Sequence, residues 1–96
     1  MAETTRFEWD PRKAEANRRK HGLTFEEVVS VFRDPFRQQD IEGDEHGETR
    51  WRATGEINGK LYVVSYTTYE EGEDEVYRII TARRATPRER KAFRAS

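Results

Sequence analysis

"TRWRATGEINGKLYVVSYTTY", residues 49–69, decides the fold. Its first half alternates, with Trp51, Ala53 and Ile57 on one face and Arg50, Arg52, Thr54 and Glu56 on the other, the period of two expected of a half-buried strand. Asn58-Gly59 then supplies the two-residue turn with positive φ that a type I′ hairpin needs. The second half is apolar on both faces, as a central strand is. An antiparallel hairpin with its second strand inside a sheet therefore organises the chain, and one face of that sheet begins with arginines.

Working outward, "EVYRIITARRA" (75–85) reads as a further strand. Thr86-Pro87-Arg88-Glu89 is a capping box that starts a last short helix ending near Phe93. Simple alternation sets Arg83 with Ile79 and Tyr77, and Arg78 and Arg84 opposite with Ile80 and Val76. Arg83 and Arg84 then diverge, so one flat patch uses both only where the strand bulges or ends.

Upstream, "RFEWDP" (6–11) opens with a short alternating run suited to an edge strand, and Asp10-Pro11 is an N-cap and first-turn pair. The helix so begun runs to about His21 and stops at Gly22; apart from Ala14 and Ala16 it is polar on every side. Thr24 and Glu27 cap a second helix in which Phe25, Val28, Val29 and Phe32 form one apolar stripe, ended by Pro35. Residues 36–41 add a short edge strand. The acidic stretches 40–48 and 70–75 read as loops. The result is an α+β fold over a single domain, 1–96: an antiparallel sheet of about four strands, two N-terminal helices packed on one face, a short C-terminal helix, and the other face open to solvent.

At 96 residues the chain has room for one core, and 33% hydrophobic against 39% charged residues keeps that core thin. There are no cysteines, which excludes disulfides and thiolate chemistry and suits a reducing cytoplasm. No apolar run approaches membrane-spanning length, and Met1 to Asp10 lacks a signal-peptide core. The net charge of −1 hides segregation: between Val76 and Ser96 the basic residues Arg78, Arg83, Arg84, Arg88, Arg90, Lys91 and Arg94 stand against Glu89 alone. Such segregation permits a basic face at near-zero net charge.

Arg50 and Arg52 on one strand with Arg83 or Arg84 on its neighbour form a guanidinium cluster, and such forks bind phosphate oxygens bidentately at any working pH. Salt bridging to the acidic segments is the competing use for any single arginine. Trp9, Trp51, Tyr62, Tyr66 and Tyr69 supply faces on which bases stack; Trp51 reads as core, and Trp9, beside a chain turn, as the better stacking candidate. His21 closes the basic helix beside Lys20, as a dipole-stabilising cap or a proton carrier. "DIEGDEHGE" (40–48) lacks the glycine and bidentate acid of a calcium loop, so no metal site is expected. An inventory of Arg, Lys, His and Tyr suits RNA cleavage by the substrate's own 2′-hydroxyl, which needs a base, an acid and cations on the phosphate.

"FEWDPRKAEANRRKHGLTFEEVVSVFRDP" (7–35) resembles the opening signature of the BrnT family of type II toxins, and "RIITARRATPRERKAF" (78–93) its closing one. "ETRWRATGEINGKLYVVSYT" (48–67) fits its central hairpin. The resemblance implies a compact RelE-like fold and a bacterial ribonuclease that cleaves mRNA and arrests translation; the residue inventory adds that no cofactor is needed, and the composition a cytoplasmic location. It also implies neutralisation by a BrnA antitoxin with a ribbon-helix-helix part, in a heterotetramer that contacts operator DNA through the antitoxin. By motif position it points to Trp9, Lys20, His21, Arg50, Arg83 and Tyr66. Expected catalytic residues are therefore His21, Lys20, Arg50 and Arg83, and expected RNA contacts Trp9, Arg52, Tyr66 and Arg84. The competing readings are a non-catalytic module that grips RNA or an acidic antitoxin segment, and a domain whose arginines serve only internal ion pairs.

Overall fold

The structure, a computed structural model, describes residues 4–96, apart from the side chain of Glu45. The chain runs β1 (Thr4–Trp9), α1 (Pro11–His21), α2 (Phe25–Val28), a 3-10 helix (Val29–Arg33), β2 (Gln38–Glu45), β3 (Glu48–Ile57), β4 (Lys60–Glu71), β5 (Asp74–Arg84) and α3 (Pro87–Arg94). Met1 to Glu3, which belong to the expectation about the first ten residues, lie outside the described residues. Among the described residues no helix is long and apolar enough to cross a membrane.

The sheet has five strands in the order β1-β5-β4-β3-β2 and is mixed: β1 lies parallel to β5, and the other neighbours are antiparallel. This corrects the expectation of about four antiparallel strands. Both stretches expected as acidic loops are strand ends and tight turns instead. His46 (φ 52°) and Gly47 (φ 78°) close the β2–β3 hairpin, and Gly72 (φ 62°) turns β4 into β5. Asn58 and Gly59, at φ 51° and 82°, close the β3–β4 hairpin as the sequence requires.

Helix α1 has the expected ends: Asp10 accepts from Arg12 N, and Gly22 is left-handed at φ 71°. The second helix is shorter than its apolar stripe suggested. It passes after one turn into 3-10 geometry, so that Phe25, Val28 and Val31, three residues apart, become the buried face. That tight turn comes close to β3. A Cβ on Gly55 would stand 2.9 Å from a Val31 methyl and 3.0 Å from the Val31 carbonyl oxygen, so glycine is the residue that fits.

The main core lies between these helices and the sheet: Phe25, Val28, Val31, Ala53, Val64, Tyr66, Ile79 and Ala82, with Phe7, Trp9, Phe32 and Tyr77 packed against it. A smaller cluster of Leu61, Val63 and Ala85 is covered by Phe93 of α3. Since Val63 alternates with Val64, α3 sits on the opposite face from α2, the face expected to be open to solvent. The sheet's second face is thus roofed at one end by α3.

Candidate nucleic-acid interface

Two β-bulges shape the second face. Between Ser65 and Tyr66 the register of β4 against β5 slips, so Thr81 and Ile79 are their partners and Ile80 is the extra residue. The slip reverses the simple alternation. Arg83, opposite Val63, now shares the second face with Arg78, opposite Thr67, whereas Arg84, opposite Tyr62, turns to the helix side. There its guanidinium lies 5.5 Å from the centre of the Tyr62 ring. The expected pairing of Arg83 with Ile79 and of Arg84 with Arg78 is corrected accordingly, and the physical reason is the bulge.

Arg52 lies opposite Ser65 and Arg50 opposite Gly43, which brings both onto the face that carries Arg78 and Arg83. Each of these guanidiniums stands against a carboxylate. Arg83 donates to both oxygens of Glu89, at 2.7 and 2.9 Å. Arg78 donates to Glu8 at 2.7 Å, and Arg52 Nε to Asp40 at 3.2 Å. Arg50 Nη1 is 3.8 Å from Glu42, whose other oxygen accepts from Ser65 Oγ at 2.7 Å. The pairs hold these guanidiniums together on one face of the sheet.

The electrostatics follow from these contacts. Arg83, with two further hydrogen bonds from the Thr86 segment, holds the Glu89 carboxyl at about 2, well below the carboxylate range. In return Glu89, and more weakly Glu42, raise the Arg83 guanidinium. The hydroxyl of Tyr69 and then Arg78 lower Glu8.

Helix α1 forms one rim of this face because β1 pairs only with the first half of β5. Beyond Ile79 the helix takes the edge position, and Asn17, 6% exposed, accepts from Ala82 N at 3.0 Å. That bond satisfies a strand donor that would otherwise be orphaned. It also fixes α1 so that Lys13, Lys20 and His21 look across Ile80 and Thr81. They line a cleft of about 350 Å³. A second cleft, of about 190 Å³, shares Lys13 and Ile80 and continues to His46, Glu48, Arg50, Thr67 and Arg78.

Of the residues expected to act, Lys20, His21, Arg50, Arg52 and Arg83 therefore gather on or beside one face. Trp9, Tyr66 and Arg84 are on the other. Trp9 packs edge-on against Phe25 with ring centres 5.8 Å apart. Tyr66 is 2% exposed, stacks on Tyr77 at 5.2 Å and bonds to Gln39, and burial pushes its hydroxyl pKa up. Neither offers a free ring face to a base beside the arginines. Lys13, Glu42, Ser65 and His46 join the site without having been expected there. The His46-Gly47 dipeptide between two polar runs was a legible hairpin signal; Glu42 depends on a bulge and had none.

Fold and face together define a small α+β domain with an ordered guanidinium surface edged by a basic helix, a class suited to polyanions. Residues 9–89 match the family described as "Ribonuclease toxin, BrnT, of type II toxin-antitoxin system". The chain belongs to that family. A comparison with curated proteins finds none that matches.

Proposed function

We propose that the chain is a metal-independent endoribonuclease that cleaves mRNA and so arrests translation in the cytoplasm. The observation that carries this reading is the convergence of Arg50, Arg52, Arg78 and Arg83 on the face bordered by Lys13, Lys20 and His21. Arg50 and Arg83 hold the scissile phosphate and neutralise the charge that develops on it. Arg52 and Lys13 follow neighbouring phosphates. His21, with Lys20 beside it, carries proton transfer. Trp9 and Tyr66 act beneath the site by packing, and Arg84 serves the opposite surface. The positive charge that a metal would bring to the phosphate is supplied by the guanidiniums.

The partner in this reading is a BrnA antitoxin with a ribbon-helix-helix part, bound in a heterotetramer that reaches operator DNA through the antitoxin. A second reading has one specific support: Arg83 and Arg52 are already paired to carboxylates, as they would be by an acidic antitoxin segment. The face would then be a binding module without catalysis.

Incubation of the antitoxin-free chain with RNA in EDTA separates the two. The ribonuclease reading expects fragments ending in 2′,3′-cyclic phosphate and 5′-hydroxyl. It also expects a loss of about 10²–10³-fold in Arg83→Ala, with a melting temperature lowered by no more than about 4–8 °C. Intact RNA, bound but uncut, would establish the binding module.

A further inference from the structure

We propose that Glu42 is the general base of the cleavage reaction, taking the proton from the attacking 2′-hydroxyl. The inference rests on the ribonuclease reading above and assigns it a residue.

Glu42 is the extra residue of the second bulge. Ile41 pairs with Trp51 and Gly43 with Arg50, so Glu42 has no place in the ladder and its side chain is re-aimed. It reaches over β3 to β4, where Ser65 Oγ donates to Oε2 at 2.7 Å; Ser65 itself is 7% exposed, so this anchor is fixed within the sheet. The bulge at Ile80 on β5 brings Arg83 to the same face, and Glu42 lies near enough for its charge to be felt by Arg83. Two bulges from opposite sides of the sheet thus converge on one carboxylate between two arginines.

Two other acids of the face are committed. Glu89 spends both oxygens on Arg83 and one also on Thr86 N, as part of the α3 cap. Glu8 accepts from Tyr69 and Arg78. Glu42 differs: Oε1 is 3.8 Å from Arg50, too far for a hydrogen bond, so a lone pair remains on it for a proton.

The 2′-O–H bond breaks, its proton goes to Glu42 Oε1, and its electron pair forms the new bond to phosphorus. The bond from phosphorus to the 5′-oxygen breaks, and that oxygen keeps the pair and takes a proton from protonated His21. The products are a 2′,3′-cyclic phosphate and a 5′-hydroxyl, and exchange with water resets both side chains.

Glu42→Gln tests this, because an amide oxygen can still accept from Ser65. Its cleavage rate should fall about 10²–10⁴-fold while its affinity for uncleavable 2′-O-methyl RNA is kept or rises. Replacing the bridging 5′-oxygen of the substrate by sulfur gives a leaving group that needs no acid. That substrate should rescue His21→Ala and leave Glu42→Gln slow. Glu42→Asp, which keeps a carboxylate, should recover part of the rate and decides the matter if the Gln variant does not fold. Cleavage by Glu42→Gln within a few-fold of the parent would overturn the assignment and leave Glu42 a counter-ion, with the ribonuclease reading intact. A parent chain that cuts no RNA would remove both.

Discussion

The two faces of the sheet are made by the same strands and work by different physics. On the helix side aromatic rings interlock: Phe32 stands edge-on to Tyr66 at 5.0 Å, and Tyr66 stacks on Tyr77 at 5.2 Å. This face is dry, and its stabilisation comes from removing apolar area from water. The other face carries half-exposed ion pairs, each of which contributes little to folding. Arg83 and Arg84 display the contrast within one dipeptide, one against Glu89 and the other over Tyr62. Stability and binding are therefore separable by substitution, since one layer can be altered while the other is kept.

The largest effect that would break this comparison lies on the dry face. Phe25 is fully buried, and Phe25→Ala should cost about 3–5 kcal/mol, read by urea unfolding. A cost near zero would mean that the helices do not hold the sheet. Next comes Asn17, which joins the two regions. Asn17→Ala leaves Ala82 N without its acceptor and should cost about 1–3 kcal/mol. Because α1 loses its fixed seat, cleavage should fall further than in a variant of equal stability altered at Val28, in the core on the helix side.

The smallest effect comes from the wet face. Glu89 titrates at about 2 in the folded chain against an ordinary 4.5. A lowered folded value means that the unfolded chain takes up the proton first, so the contribution is complete above pH 4.5 and is lost as pH falls toward about 2. With the side chains of Arg83 and Glu89 36% and 27% exposed, screening limits it to about 1 kcal/mol or less. Melting of the parent and of Glu89→Gln should converge as pH falls from about 4.5 to about 2, by about that amount.

The elements with local chemical signals were legible in the sequence. Asp10 and Gly22 bound α1, Thr86 and Glu89 cap α3, and Asn58-Gly59 turns the central hairpin, because each rests on contacts a few residues apart. What escaped was set by distant partners. The parallel pairing of β1 with β5 joins Thr4 to Asp74 across the whole chain. The slip at Ile80 lies in the register of β4 against β5, and with it Arg83, not Arg84, faces the arginine cluster. The change from α-helical to 3-10 geometry in residues 25–33 goes with a close approach of Val31 to Gly55, a contact 24 residues distant in sequence. Arg50, Arg52 and Arg83 were thus readable as members of the guanidinium cluster, whereas the place of Arg78 in it and the exclusion of Arg84 were not.

The measurement that bears most directly on the account is the salt dependence of binding to 2′-O-methyl RNA, compared for the parent, Arg83→Ala and Arg84→Ala. A guanidinium that meets a phosphate releases counterions, so Arg83→Ala should weaken binding and reduce the log–log slope by about 0.7–0.9. Arg84→Ala, altered one residue away on the other face, should leave the slope unchanged. Equal losses in both variants, or a loss confined to Arg84→Ala, would contradict the assignment of RNA to the face that carries Arg83.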